Sequence, residues 1–349
     1  MAAQHGAVSI SLYFMPAFFH RHVSVTYGEA YYFDPAYRAT VDCAESRYLY
    51  DILGRYGVGS PTPMPRASLF IQPIDLLKLT QGATLYCPPD ASLETHGHPW
   101  AGLSVETITR IDPDEAAHHP VIDRILAQYR ELERRYGARA DLFGIKSGTM
   151  NLHTPYTTAH QLCGEELFLM LVDDPEGVRA IFMKVWDIYR AVFMRLSKEL
   201  GAPPVKYLQL GDCSAGLLSE SIYRESVLPV NCELARQFPE CGYHSCGAST
   251  HLISAFAELP NCTNMELGPG TDIARAAAAF PHRALSPLID PVLMLSDSRS
   301  RVENVISQLL DATATAMRTC LCAWSFDSAT PIGNVEAMYE VVRASGRAG

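Results

Sequence analysis

The stretch VKYLQLGDCSAGLLSESIYRESVLPVNCELARQFPECGYHSC (residues 205–246) decides the predicted fold. It begins with a short apolar run that ends at Asp212, continues through an amphipathic segment, and closes with a second short run that ends at Cys246. Two such strands joined by a helix are parallel, with a right-handed crossover. The stretch therefore predicts one β–α–β unit of an α/β protein.

The same alternation continues on both sides of this unit. Short runs typical of strands are VSISLYFM (8–15), ASLFIQP (67–73), ATLYC (83–87), DLFGIK (141–146), CTNMELG (262–268), RALSPLI (283–289) and TCLCAWS (319–325). Amphipathic segments lie between most of them, and the segment VIDRILAQYRELERRYG (121–137) ends in a glycine that is typical of a helix stop. About eight such units predict a (β/α)8 TIM barrel.

We expect one barrel domain over residues 1–349, in which residues 1–65 form an N-terminal extra segment with the first strand and helix. No stretch of linker composition divides the chain. A doubly wound open sheet is the alternative fold. It is disfavoured because no glycine-rich dinucleotide turn follows the first strand.

Composition excludes several classes of partner. The chain has 349 residues, 48% of them hydrophobic, and a formal net charge of −10 without a long Lys/Arg run, so nucleic acid and anionic membrane surfaces are not expected partners. No segment approaches the roughly 18 apolar residues of a membrane helix, and no export signal is evident, which predicts a cytoplasmic protein. There the ten cysteines are expected to be thiols, available for metal binding or catalysis.

Polar residues collect where the predicted strands end, which is where barrel enzymes carry their chemistry. His244 and Cys246 are two residues apart on a strand and point to the same side, whereas Cys241 has the opposite parity. Thiolate and imidazole together suit zinc, which takes three protein ligands in a catalytic site. Cys320 or Cys322 would supply the third ligand; the alternative is that these cysteines are small buried hydrophobes.

Further candidates flank this group. Asp212 and Glu266 end strands, and we expect them to orient metal ligands or to handle a proton, unless Asp212 caps a loop and Glu266 pairs with an arginine. His20 and His22 follow the first strand and, with Tyr27, are predicted to bind substrate. Aromatic residues of the same region would wall an apolar pocket or simply pack in the core: Tyr13, Phe14, Phe18, Phe19, Tyr27 and Tyr31.

Five motifs, taken in order, resemble the uroporphyrinogen decarboxylase superfamily. They are SGTMNLHTPYTTAHQLCGEELFLMLVDDPEGV (147–178), GDCSAGLLSESIYRESVLPV (211–230), GYHSCG (242–247), ELGPGTDIARA (266–276) and TPIGNVEAMYE (330–340). The resemblance covers roughly residues 60–345 and implies a (β/α)8 barrel, in agreement with the alternation of strands and helices.

The resemblance favours the corrinoid-dependent methyltransferase branch of this superfamily. The decarboxylases carry an Arg-Gln-Ala-Gly-Arg segment, and MPAFFHRHVSVTYGEAYY (15–32) has one arginine in that region. The methyltransferases carry a zinc site of the pattern His-x-Cys with a distant cysteine, which His244, Cys246 and Cys322 match; Cys322 lies 76 positions after Cys246. Counting back from Thr330 places the cysteine nearer Trp324, so Cys320 stays open as the third ligand.

The function implied by the resemblance is zinc-dependent transfer of a methyl group between a small substrate and a corrinoid cofactor. The substrate would be a thiol, a methoxy-aromatic compound or a methylamine-like compound. A small corrinoid protein is implied as partner, because the chain has no D-x-H-x-x-G segment of its own. The alternatives are a metal-independent decarboxylase of a carboxylated substrate and a non-catalytic small-molecule-binding barrel. The direction of transfer and a homodimer are left open.

Overall fold

The computed structural model describes residues 7–65, 68–69, 71–137 and 140–348. Its strands are β1 (Val8–Phe14), β2 (Ser68–Leu69), β3 (Thr84–Tyr86), β4 (Glu94–His96), β5 (Asp141–Leu142), β6 (Thr149–His153), β7 (Tyr207–Gly211), β8 (Glu240–Ser245), β9 (Cys262–Leu267), β10 (Ala284–Pro287) and β11 (Thr319–Phe326). Among these strands, seven form one parallel sheet in the order β1–β11–β10–β9–β8–β7–β6. The others pair as β2 with β5 and β3 with β4.

Helices follow most strands of the sheet and pack against it. They are α1 (Pro16–Val23), α2 (Glu29–Phe33), α3 (Pro35–Leu53), α4 (Pro73–Thr80), α5 (Val105–Thr109), α6 (Pro113–Ala117), α7 (Pro120–Tyr136), α8 (Pro155–Cys163), α9 (Glu166–Asp173), α10 (Pro175–Leu200), α11 (Glu220–Ile222), α12 (Leu228–Ala235), α13 (Ile253–Ala257), α14 (Ile273–Ala279), α15 (Pro291–Ser296), α16 (Arg299–Ala312) and α17 (Ile332–Ala344). A π-helical turn, Tyr223–Val227, joins α11 to α12. Within the described ranges, no helix has the length and apolar character needed to cross a bilayer.

The sheet is curved, because one cavity is lined by residues of both its edge strands, Ser11 of β1 and Asn151 of β6. The predicted parallel α/β architecture is thus confirmed. In the described residues β1 and β6 are not hydrogen-bonded to each other, and closure into a barrel stays a prediction. The predicted strand at 67–73 is described only in part, since residues 66, 67 and 70 lie outside the described ranges.

Side chains alternate along the sheet between its two faces. Leu210, Tyr243 and Met265 are fully buried on the face that packs against the helices. Their chain neighbours Gly211, His244 and Glu266 lie on the opposite face, which lines the cavity. His244 therefore points away from the helix-covered face, and the polar residues lie on the face of the sheet that lines the cavity.

One expectation about local structure was wrong. DLFGIK (141–146) contributes only a two-residue strand, and the strand of the central sheet is instead β6. Gly144 and Gly148 both have positive φ angles, 79° and 76°, and turn the chain between the two strands. His20 and His22 follow the first strand and lie in helix α1, which Pro16 begins directly after that strand.

Candidate metal centre and substrate cavity

A cavity of about 880 Å³ opens among the carboxyl ends of the strands. Its polar and thiol lining includes Ser11 of β1, Asp75 of α4, Asn151 and His153 of β6, Gln209 of β7, Cys213, His244 of β8, Cys246, Glu266 of β9 and Cys322 of β11. A volume of this size is typical of small-molecule sites, and its place is the one at which parallel α/β enzymes bind substrate. We call it the main cavity.

Strand register arranges the cavity wall in two layers. The upper layer joins residues that are paired across neighbouring strands: His153, Gly211, His244, Glu266 and Ser286. The lower layer, two residues earlier on each strand, joins Asn151, Gln209, Gly242, Asn264 and Ala284. Because parallel strands run in one direction, every member of a layer lies at a similar depth.

Three potential metal ligands meet at His244, in the middle of the upper layer. The ligand atoms of Cys213, His244 and Cys246 all lie within 4.8 Å of one another. His244 Nδ1 lies 3.1 Å from Glu266 Oε2, so this nitrogen donates to the carboxylate and Nε2 is left to bind a metal. A carboxylate behind a ligating histidine is the usual support of a zinc ligand. The predicted ion pair of Glu266 with an arginine is not what the described residues form.

Cys246 is prepared for metal binding as a thiolate. Its pKa is lowered to about 5, first because the Cys213 thiol donates to it and then because His244 does. Burial alone would lower the pKa of His244, but hydrogen bonds with Cys246 and Glu266 outweigh burial and raise it to about 9. Without metal, a thiolate and an imidazolium therefore face each other at neutral pH, and the thiolate is the form that binds metal.

Cys213 is placed by a buried network around its neighbour Asp212. The Asp212 carboxylate accepts hydrogen bonds from Tyr243 Oη at 2.7 Å, Thr157 Oγ1 at 2.9 Å and Asn231 Nδ2 at 3.3 Å. Asp212 is fully buried, burial raises its pKa, and it does not line the main cavity. Of the two roles predicted for Asp212, its position favours orienting a ligand over handling a substrate proton.

Main-chain contacts hold the loops of the cluster together. The Asp212 amide donates to the His244 carbonyl at 2.6 Å, and the Gly268 amide donates to the Ser245 carbonyl at 2.7 Å. A Cβ atom at Gly268 would lie 2.0 Å from the Cys246 carbonyl oxygen, so only glycine permits this approach. The position of Cys246 is therefore set from both neighbouring strands.

Cys320 and Cys322 of β11, the two candidates for the third metal ligand, lie outside the cluster of Cys213, His244 and Cys246. Cys322 lines the main cavity, and its Sγ is 3.9 Å from that of Cys320. In the described residues neither belongs to a group of three close metal ligands. Trp324, two residues on, stacks on the His244 ring instead, with centroids 5.9 Å apart. Ligation by Cys322 or Cys320 stays a prediction.

The residues predicted to bind substrate lie outside the main cavity. His20 Nδ1 donates to the Val25 carbonyl at 2.8 Å, and His22 Nε2 donates to that of Ser328 at 3.0 Å. Tyr27 lines a separate cavity of about 370 Å³, where its hydroxyl donates to Glu45 at 2.6 Å. Of the predicted aromatic wall, Tyr13 is shared by both cavities.

Sequence reasoning missed three residues of this site: Cys213, His153 and Gln209. Cys213 follows Asp212 directly at the end of a predicted strand, and that position was the available signal. His153 belongs to a strand that was not predicted, and Gln209 lies in the middle of a predicted strand, where nothing marks it as functional.

Residues 97–345 match the family described as Uroporphyrinogen decarboxylase (URO-D). Among solved structures, a methyltransferase from Methanosarcina mazei is similar, with a TM-score of 0.65 and 12% sequence identity over 98% of this chain and 95% of that chain. At this identity the likeness is one of fold. No curated protein matches the chain significantly.

Proposed function

Since the chain belongs to the uroporphyrinogen decarboxylase family, we propose that it is a zinc-dependent methyltransferase. It moves a methyl group between a small substrate and a corrinoid cofactor that a separate protein carries. The observation that carries this proposal is the cluster of Cys213, His244 and Cys246 at the end of the main cavity. The name of the Methanosarcina mazei structure, a methyltransferase of the same fold, supports it.

The donor set of the cluster fits zinc. Two thiolates and one imidazole nitrogen are ligands that zinc prefers, and three protein ligands leave the fourth tetrahedral position to a substrate atom. Glu266 holds the His244 ring so that Nε2 faces the two sulfurs. When bound there, zinc would act as a Lewis acid that lowers the pKa of a thiol substrate.

The protein's own groups prepare and shield the reaction. Glu266 sets the tautomer of His244 by accepting from Nδ1, and the Asp212 network holds the loop that carries Cys213. Trp324 lies roughly parallel to the His244 ring, with centroids 5.9 Å apart, and forms part of the apolar wall beside it. A corrinoid carried by its own protein would supply the cobalt chemistry that donates or accepts the methyl group, while these residues position the substrate.

The decarboxylase alternative is less well supported by the cavity. A substrate with several carboxylates needs cationic side chains, and no Lys or Arg occurs among the described residues that line the main cavity. Two carboxylates, those of Asp75 and Glu266, lie there instead. This lining favours an uncharged or cationic substrate.

The test combines metal analysis with absorption spectroscopy. Purified protein should contain about one zinc per chain, and with a corrinoid protein and a panel of thiols, methoxy-aromatics and methylamines it should form or consume the methyl–cobalt absorption band. Cys246→Ala should lose both properties, whereas Cys43→Ala, a thiol that contacts the Pro63 carbonyl far from the cavity, should keep both. Metal-independent release of carbon dioxide from a carboxylated substrate would overturn the proposal in favour of the decarboxylase.

A further inference from the structure

We propose that His153 and Gln209 together bind an uncharged oxygen of the substrate, such as that of an amide, a carbonyl or a hydroxyl group. This inference rests on the proposed function and names the class of substrate that the same site takes. Two observations carry it: hydrogen-bonding atoms in the cavity wall that protein groups leave unsatisfied, and the charges that surround them.

The unsatisfied atoms are His153 Nδ1 and Gln209 Nε2. Both are buried, and neither has a hydrogen-bond partner among the described residues. Leaving a buried polar atom without a partner costs about 1–3 kcal/mol, so such atoms in a cavity wall mark a place where a ligand completes the hydrogen bonding. Both residues line the main cavity.

The orientation of the Gln209 amide is set by its neighbours. Its Oε1 accepts a hydrogen bond from the Tyr207 hydroxyl at 3.1 Å. The same oxygen packs on the main chain of Gly242, where a Cβ atom would approach it to 2.1 Å. Because Oε1 is held in this way, Nε2 is the group that Gln209 offers to a ligand, as a donor.

His153 lies in the upper layer on the far side of Gly211 from His244. Its ring lies over Gly211, with Cδ2 3.3 Å from the place of a Cβ atom there. Burial, and then the charge of His244, lower the pKa of His153 to about 4. The ring is therefore neutral and offers one donor and one acceptor.

Charge selects among the oxygen-containing groups that could bind. Asp75 and Glu266 contribute carboxylates to the main cavity, and its described lining has no Lys or Arg. An anionic group would be repelled by these carboxylates, and no Lys or Arg of the described lining would offset the repulsion. An uncharged oxygen can use the Gln209 donor and a His153 nitrogen without this cost.

Strand spacing limits the length of the substrate. β6 and β8 are separated by one strand, so the main chains at His153 and His244 are about 10 Å apart. Both side chains rise from the same face of the sheet into the main cavity, so one short substrate can contact both of them. A short thiol with an amide or hydroxyl group meets this condition.

Three thiols of one shape test the proposal: 3-mercaptopropionamide, 3-mercaptopropionate and 3-methylbutane-1-thiol. Isothermal titration of each into the zinc-loaded protein gives dissociation constants without turnover. We expect the amide to bind about tenfold more tightly than the hydrocarbon thiol, as one added hydrogen bond allows, and more tightly than the carboxylate. Gln209→Met and His153→Phe should each remove most of this preference while leaving the hydrocarbon thiol unaffected.

Gln237→Leu is the control and should keep the preference, because this glutamine is exposed between α12 and β8 and does not line the main cavity. Circular dichroism verifies that each variant folds. Because Gln209 and His153 are tested separately, the inference can still be decided if one of the two variants does not fold. Equal affinity for the amide and the hydrocarbon thiol, or a preference for the carboxylate, would overturn this inference but not the proposed function. If none of the thiols binds, the substrate class is wrong, and zinc content with the methyl–cobalt assay still decides the proposed function separately.

Discussion

The rings of Trp324 and His244 lie face to face across the main cavity, with centroids 5.9 Å apart and planes inclined by 23°. Trp324 is held in this position by a hydrogen bond from Nε1 to Ser11 Oγ at 3.1 Å. The indole therefore reports on the charge of the candidate ligand His244, and it occupies the place that counting back from Thr330 assigns to a cysteine.

Fluorescence of the metal-free protein should depend on the charge of His244. An imidazolium quenches a stacked indole more strongly than a neutral imidazole does. Because the pKa of His244 is raised to about 9, we expect tryptophan emission to increase as the pH rises through about 9. Trp324→Phe should abolish this increase and Trp186→Phe should preserve it. An equal increase in both variants would contradict the stacking as the source.

Zinc affinity should depend on Cys213 more than on Cys322. Cys213 belongs to the close group of ligands, so Cys213→Ser should weaken zinc binding at least about 100-fold, as should Cys246→Ala. Cys322→Ser and Cys320→Ser should change it by no more than severalfold. Competition with a chromophoric chelator measures all four. Loss of zinc only in Cys322→Ser would restore the ligand set expected from the sequence.

Glu266→Gln should weaken zinc binding by roughly 10–100-fold without unfolding the protein, because the carboxylate orients His244 through Nδ1. The exposed Glu240 begins the same strand as His244 and provides the control: Glu240→Gln should bind zinc like the parent. The same chelator competition applies. Unchanged affinity in Glu266→Gln would show that the carboxylate does not support the ligand.

Gly268→Ala should disturb the metal centre, since its Cβ atom would lie 2.0 Å from the Cys246 carbonyl oxygen and push the two loops apart. We expect lower zinc affinity and a lower midpoint of thermal unfolding. Gly247→Ala is the matched control, because a Cβ atom there meets nothing within 4 Å. If both variants behave alike, the close approach does not hold Cys246 in place.

Stability of the metal-free protein should fall at mildly acidic pH because of His153. Its pKa is about 4 in the folded chain and about 6.5 when unfolded, so the unfolded chain binds the additional proton between these values. The free energy of unfolding should therefore drop by about 2 kcal/mol for this group between pH 7 and pH 5. Urea titrations should show a smaller drop for His153→Phe than for the parent or the exposed control His282→Phe. Equal drops in all three would refute the shift.

The sequence alone was sufficient to predict the parallel architecture and to select His244 and Cys246 as candidate site residues. His244 and Cys246 could be found because their spacing matches the period of a strand and because both lie at its end. His20 and His22 have the same spacing, but there it does not place both side chains on one face, because Pro16 begins a helix before them. The spacing of two residues therefore predicts the direction of their side chains only where the secondary structure is known.

The remaining residues of the site depend on contacts that spacing does not encode. Cys213 joins His244 only through the pairing of β7 with β8 and the buried hydrogen bonds of Asp212. His153 was missed because two glycines with positive φ angles delay its strand beyond the apolar run that predicted it. The orientation of Gln209 depends on the absence of a side chain at Gly242, on a neighbouring strand.

The main-chain hydrogen bonds among the loops of the cluster determine which substitutions such a protein can accept during evolution. Asp212 is tied to His244, and Gly268 to Ser245, through backbone hydrogen bonds that use no atom of the side chains at positions 213 and 246. Descendants can therefore exchange the donor at position 213 or 246 by point mutation while the frame around it stays in place. New chemistry at this site requires no insertion or deletion, which makes the reaction more changeable than the scaffold that hosts it.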